Sequence, residues 1–179
     1  MLRSKKLTEE QQILFANQIV QDGKRLEALS MKLMDLIVLK REDLPMRRVS
    51  SKQFFQSIYQ TVLPVMEQNH IRFTVKCQYA LLTIEPDLMA TVCINLLDNA
   101  IKYTPAGSVI EVHTEKNKAS QQVLVSVSDD GPGIPDDQKT HIFDMFYSGA
   151  NKIADSRRSL GLGLSLCKSI VTAHGGTIW

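Results

Sequence analysis

The chain has 179 residues, of which 44% are hydrophobic, 22% charged and 6% aromatic, with a formal net charge of +2. That length holds one domain with an appendage, or one larger domain, and the composition is too apolar for disorder and too mixed for a membrane-embedded protein. The slight charge and few aromatics argue against a nucleic-acid surface or a stacking platform for bases. Cys77, Cys93 and Cys167 are widely spaced and form no C-x-x-C, so they read as reduced thiols of a reducing compartment. No apolar run reaches the roughly 18 residues of a membrane span. The charged start Met1–Lys6 lacks the apolar core of a signal peptide. Together these features predict a cytosolic, soluble chain.

In chain order, the stretch from Thr8 to Glu42 contains no proline and one glycine, Gly23. Phe15, Ile19, Leu26, Leu29, Leu33 and Leu36 recur at bundle or coiled-coil spacing. Thr8–Gln11 offers a capping box at the start, and Pro45 a stop. The helix so defined is about 50 Å long at 1.5 Å per residue, so much of it is expected to project from the domain. After Pro45 the pattern turns to α/β. Arg47–Val49 reads as a short strand, and Ser50 to Asn69 as a helix capped by Ser50 or Ser51 and kinked at Pro64. Ile71–Val75 and Leu81–Ile84 read as strands. Pro86 opens a helix at its first turn that runs to Tyr103. Val109–Thr114 and Val123–Ser128 are the clearest strands. Beyond a Gly/Pro-rich break, a short helix is expected over Asp136–Asp144, then a last helix over Leu162–His174 ended by Gly175-Gly176. Thr177–Trp179 reads as the start of a strand.

Three segments carry the candidate chemistry. In Ile94–Tyr103, Asn95, Asn99 and Lys102 fall on one helical stripe. Amide oxygens there suit Mg²⁺ and an amine suits phosphate; taken alone, the stripe is equally an exposed polar face. The opposite stripe, Ile94, Leu97 and Ile101, is expected to pack on a sheet. In Asp129-Asp130-Gly131-Pro132-Gly133-Ile134, a carboxylate ends a strand beside glycines that let backbone approach a flat ligand. The third glycine of a dinucleotide fingerprint is missing, and the stretch is also ordinary turn chemistry. In Leu160–Leu166, glycines precede a helix N-terminus, a setting for phosphate, without the Gly-Lys-Ser/Thr of a Walker loop.

In this order and spacing the three segments resemble the N, G1 and G2 boxes of the ATP-binding domain of bacterial sensor histidine kinases. Ile142–Phe146 resembles that family's F box, and His174-Gly175-Gly176 its usual ending. The resemblance covers Arg47–Trp179, and the stretch Asn151–Ser165 looks most like the potassium-responsive kinases of the KdpD type. It implies an α/β fold, an α+β sandwich of the histidine-kinase-like ATPase (Bergerat) type preceded by a long helix. Residues 1–44 would be the second helix of a dimerisation and phosphoacceptor hairpin, and 45–179 the ATP-binding domain, cut short at its last strands.

Residue by residue, the resemblance implies that Asn99 ligates Mg²⁺ with Asn95 assisting, that Lys102 reaches a phosphate, and that Tyr103 packs near ribose or adenine. Asp129 would accept from adenine N6, with Gly131 and Gly133 permitting close approach and Ile134 and Leu164 as apolar walls. Gly161, Leu162 and Gly163 would present backbone N–H groups to phosphates. Phe143 and Phe146 would anchor a lid over Tyr147–Leu160. The family's F-box arginine is replaced by Ser148, and Lys152, Arg157 or Arg158 would supply the charge. None of the four histidines stands in the family's phosphoacceptor motif, so no catalytic residue is assigned and the chain is expected not to autophosphorylate. The implied partners are ATP, the phosphoacceptor helix of a parent kinase, itself membrane-anchored, and a response regulator, with a homodimer through residues 8–43 and no nucleic acid or membrane contact. The competing readings are an ATPase of the gyrase, Hsp90 or MutL type, which needs a catalytic glutamate in the first Asn-bearing helix, and an oligomerisation module with a vestigial nucleotide site.

Overall fold

The computed structural model describes residues 8–38, 44–117, 122–147 and 161–179. The first helix, α1 (Glu9–Val38), opens on a reciprocal capping box. Gln11 N–H donates to Thr8 Oγ1 at 3.3 Å, and Thr8 N–H donates to Gln11 Oε1 at 3.1 Å. These bonds satisfy donors that have no partner within the helix. Phe15, Ile19 and Leu26 of the apolar stripe are exposed along α1, which touches the rest of the chain at the last helix.

The α/β body begins with β1 (Arg47–Ser50), α2 (Ser51–Gln68), β2 (Arg72–Cys77), β3 (Leu81–Ile84) and α3 (Pro86–Tyr103). It continues through β4 (Val109–Lys116), β5 (Val123–Asp129), α4 (Asp136–Lys139) and α5 (Gly163–Ala173). β1 pairs antiparallel with β3. The other three strands form one mixed sheet in the order β2-β4-β5, with β2 and β4 parallel and β4 and β5 antiparallel. The parallel step needs a crossover, and α3 supplies it. Helix α3 starts at Pro86 in its first turn, where the missing N–H costs nothing. The Glu85 carboxylate caps it, accepting from Leu88 N–H at 2.7 Å.

The core lies between α2, α3 and the sheet. Phe54, Phe55, Ile58, Val62 and Met66 form the buried stripe of α2 and meet Phe73, Ile110 and Val112 of the strands. The buried stripe of α3 is Cys93, Leu97 and Ala100, with Ile101 at its edge and Ile94 half-buried. The helix is thus rotated slightly from the expected Ile94–Leu97–Ile101 face. A second cluster, Leu88, Val92, Leu166, Cys167 and Ile170, glues α3 to α5. Burial pushes the Cys93 thiol up to about 12, with Cys167 adding to the effect, so this cysteine behaves as a small core hydrophobe.

Helix α2 contains Pro64 on its exposed side, where solvent can serve the carbonyl that lost its donor. Two expectations are corrected. The short helix α4 ends at Lys139 rather than near Asp144. Tight bonds from His141 N–H to Gln138 O and from Asp144 N–H to His141 O turn the chain instead, and His141 Nδ1 lies 2.9 Å from Asp144 Oδ2. Thr177–Trp179 pairs with no strand among the described residues; Ile178 packs on the α3–α5 cluster instead.

Candidate functional site

A cleft of about 1830 Å³ is walled by α3, β5, the turn after β5 and the start of α5. A small ligand commonly fills about 300–1,000 Å³. The excess arises because the cleft continues along β5 and reaches α1 at Gln18, Asp22 and Lys24.

The helix wall comes from α3. Asn95, Asn99, Lys102 and Tyr103 all line the cleft. Asn95 is 9% exposed, and its Nδ2 donates to Thr91 O at 2.8 Å, which fixes the orientation of the amide. Asn99 is half-buried and Lys102 exposed. The stripe is therefore graded from buried amide to free ammonium, unlike a uniformly solvated face. Lys102 Nζ rests 5.1 Å from the centroid of the Tyr103 ring.

The strand wall ends at Asp129. Cross-strand register pairs Ile110 with Asp129 and Val112 with Val127. Residues paired directly across a sheet share a face, and Ile110 and Val112 are core. Asp129 therefore projects on the helix side, at the open end of that face. Its Oδ1 accepts from Gly131 N–H at 2.8 Å, and Asp130 Oδ2 accepts from Val109 N–H at 2.9 Å. Gly131 lies behind the cleft wall. A Cβ there would stand 2.6 Å from Asp129 Oδ1 and 3.1 Å from Tyr103 O, so glycine is what lets this turn fold against the end of α3. Gly133 and Ile134 line the cleft in front of it, and Ile134 is exposed.

The third wall is the N-terminus of α5. Gly161, Gly163 and Leu164 line the cleft. Leu162 is the helix N-cap, and its side chain is buried. The first N–H groups of a helix lack intrahelical acceptors and carry the positive end of its dipole. Gly161 has φ +65°, and a Cβ on it would fall 2.6 Å from Phe146 C and 2.7 Å from Tyr147 O. Its carbonyl accepts from Phe146 N–H at 2.9 Å. We expect Gly161→Ala to cost about 1–3 kcal/mol, the range for a strained backbone position. Gly107→Ala, at φ +87° with open space around it, is expected to cost about 1 kcal/mol. Chemical denaturation of both variants checks the order.

Phe143 lines the cleft half-buried, with Lys168 Nζ 5.9 Å from its ring centroid. Phe146 departs from the expected anchor. It is 73% exposed with φ +64°, because the backbone turns there to reach Gly161. Lys152, Arg157 and Arg158, together with the expected lid beyond Tyr147, lie outside the described residues.

Sequence reasoning missed four features. Gln138 and Ile142 line the cleft; their spacing of four, just after Pro135, was the available signal. Glu85 is consumed as the α3 cap. His174 ties the two helices of the site together, its Nε2 accepting from Glu85 N–H at 3.0 Å while Nδ1 lies 2.8 Å from Ile170 O. That pattern requires the neutral ring with the proton on Nδ1.

A carboxylate at a strand end, an amide and an ammonium on a facing helix, and a glycine-led helix N-terminus thus meet around one cleft. This is the arrangement that the resemblance to the kinase ATP-binding domain implies. Residues 84–179 match the histidine kinase-, DNA gyrase B-, and HSP90-like ATPase family, and the chain belongs to that family. It is 45% identical over 112 residues to the sensor protein KdpD of Clostridium acetobutylicum, a match covering 62% of this chain and 12% of that protein. It is 41% identical over 128 residues to the adaptive-response sensory kinase SasA of Synechococcus sp. (strain JA-3-3Ab), covering 69% of this chain and 33% of that one. The chain therefore spans a third or less of the length of these curated relatives. Among solved structures, the catalytic domain of the histidine kinase ThkA aligns with a TM-score of 0.66 at 27% identity, over 76% of this chain and 86% of that one. ThkA in complex with the response regulator protein TrrA aligns with a TM-score of 0.75 at 23% identity, over 99% and 49%. No helix among the described residues is long and apolar enough to cross a membrane.

Proposed function

We propose that the chain is the ATP-binding catalytic part of a sensor histidine kinase, which binds Mg–ATP in this cleft and donates the γ-phosphoryl to a histidine for relay to a response-regulator aspartate. The observation that carries the reading is the facing of Asp129, on the inward side of β5, by Asn99 and Lys102 of α3, with the N-terminus of α5 closing the same cleft. Residues 45–179 are the ATP-binding domain. Within residues 1–44, α1 is the second helix of a dimerisation and phosphoacceptor hairpin, and its exposed apolar side chains support pairing with other helices.

The roles follow from the chemistry of each group. Asp129 accepts from the exocyclic amine of adenine, Gly131 lets the turn fold against the end of α3, and Gly133 allows the base to lie against backbone. Ile134 and Leu164 sandwich it. Lys102 and the N–H groups of Gly161, Leu162 and Gly163 balance the charge of the triphosphate. Phe143 holds the segment that precedes residues 148–160. The donor set fits Mg²⁺. That ion usually takes one or two protein oxygens and fills its shell with water and phosphate, and Asn99 offers a half-buried neutral oxygen with Asn95 oriented behind it. When bound, the metal neutralises phosphate charge as the phosphoryl group leaves.

The proposal is tested by mixing the chain with Mg–[γ-³²P]ATP and a separately supplied phosphoacceptor hairpin. The expected product is alkali-stable, acid-labile phosphate on the hairpin histidine. Steady ATP hydrolysis without transfer would instead indicate a gyrase- or Hsp90-type ATPase.

A further inference from the structure

His174 is the C-cap of α5, and backbone groups engage both of its ring nitrogens. Nδ1–H donates to Ile170 O at 2.8 Å within α5. Nε2 accepts at 3.0 Å from the N–H of Glu85, the N-cap of α3. This second bond joins the start of one helix to the end of the other. Further along the pair, Cys167 Sγ lies 3.8 Å from Val92 O. Glu85 meets His174 and Val92 meets Cys167, so residue numbers climb on α3 as they fall on α5, and the two helices run antiparallel. The other end of α5, its N-terminus at Gly163, lies about 16 Å from His174 at 1.5 Å for each of the 11 residues. Toward that end α3 carries Asn95 and Asn99, which line the cleft with Gly163. Between the two ends the contact is apolar, made by Leu88, Val92, Leu166, Cys167 and Ile170. Apolar attraction is non-directional, so it holds the helices together without fixing how far one slides along the other. The His174–Glu85 bond is directional and fixes that register.

We propose that His174 is a positioning residue. By setting the register of α5 against α3, it holds the Asn99 amide and the α5 N–H groups at the span that a Mg–triphosphate requires, without itself touching the nucleotide. The inference rests on the reading of this cleft as a Mg–ATP site.

Two substitutions in the 179-residue chain separate the two ring bonds. In His174→Asn the amide still reaches the carbonyl four residues back, as Asn69 does at the C-cap of α2, where Nδ2 donates to Val65 O at 2.8 Å. It is too short for Glu85 N–H. In His174→Gln the side-chain oxygen takes the place of Nε2 and keeps the bond to Glu85, while the bond to Ile170 O is lost. Each variant lacks one hydrogen bond, so both are expected to lower Tm by a similar amount, about 2–4 °C. Affinities for adenosine and Mg–ATP are read from amide chemical shifts. His174→Asn is expected to weaken Mg–ATP about fivefold, because the competent register loses population on the scale of one hydrogen bond. Adenosine is unchanged, since Asp129 on β5 holds the base. His174→Gln keeps the parent affinity for both ligands. Equal losses of Mg–ATP affinity in the two variants, or a loss in His174→Asn that extends equally to adenosine, overturn the proposal and leave His174 a stabilising contact only. If the parent binds Mg–ATP more tightly than adenosine and neither variant weakens it, the positioning role alone fails. If the parent binds the two ligands alike, the phosphate assignment of the cleft fails and takes the proposal with it.

Discussion

Asp129→Asn is expected to lower the affinity of the chain for ATP by about a hundredfold in isothermal titration calorimetry and to leave its thermal stability close to that of the parent. The magnitude is that of one charge-assisted hydrogen bond lost from a partly enclosed site. Asparagine is the discriminating substitution because it keeps an Oδ1 for Gly131 N–H, which now receives its bond at 2.8 Å. The turn should therefore survive. The other end of the side chain becomes an NH₂ donor, and it would face the donor N6 amine of adenine. Two donors cannot bond each other, so the base is rejected rather than merely released. Guanine presents an acceptor at the equivalent ring position, so the variant is also expected to narrow the gap between ATP and GTP. Equal ATP affinity in parent and variant would place base recognition elsewhere.

Asn99→Ala is the second variant expected to have a large effect. It removes an amide oxygen from the middle of the α3 stripe without disturbing the buried residues Leu97 and Ala100 beside it, and alanine is the strongest helix former. Affinity for ATP in excess Mg²⁺ is expected to fall about a hundredfold, comparable to the upper end of losses when groups supporting a metal are removed. In EDTA the parent and the variant should bind nucleotide alike. A loss of equal size in EDTA would mean that Asn99 touches the nucleotide directly and that the metal is held by other groups.

Much of this molecule was legible in the sequence, and what stayed hidden was hidden for identifiable reasons. The bounds of α3 could be read because proline marks its first turn and the apolar and amide stripes run unbroken to Tyr103. The capping box of α1 was equally local, fixed by Thr8 and Gln11 three residues apart. The three boxes could be placed on a strand end, a helix and a helix start because each is a contiguous run. The inward orientation of Asp129 was different, since it depends on the register of β5 against β4, which no local pattern states. The same holds for His174. As part of a terminal motif it gave no sign of its bond to Glu85 N–H, 89 residues away in the chain. Two differences arise where turns prevail. Helix α4 stops at Lys139, short of the expected Asp144, and Phe146, an anchor by resemblance alone, adopts a left-handed conformation to meet Gly161. Backbone bonds between distant glycines and aromatics override side-chain hydrophobicity in such places.

The split between the helix and the domain has a physical counterpart. Within the α/β body, apolar side chains from α2, α3 and the strands close over one another in a continuous core. Along α1, by contrast, Ile13, Leu14, Phe15, Ile19 and Val20 are exposed. A helix in water gains most of its stability from packing its apolar face, and the exposed side chains of α1 support the proposed hairpin.

The central claim is that ATP occupies the cleft between α3, β5 and α5. Titration of the ¹⁵N-labelled chain with Mg–AMPPNP tests it most directly. The account predicts saturable amide shifts concentrated at 95–103, 129–134 and 161–164, with the outer face of β2 and β4 unchanged. Shifts confined to that outer face, or no saturable shift at any of the three segments, would contradict it.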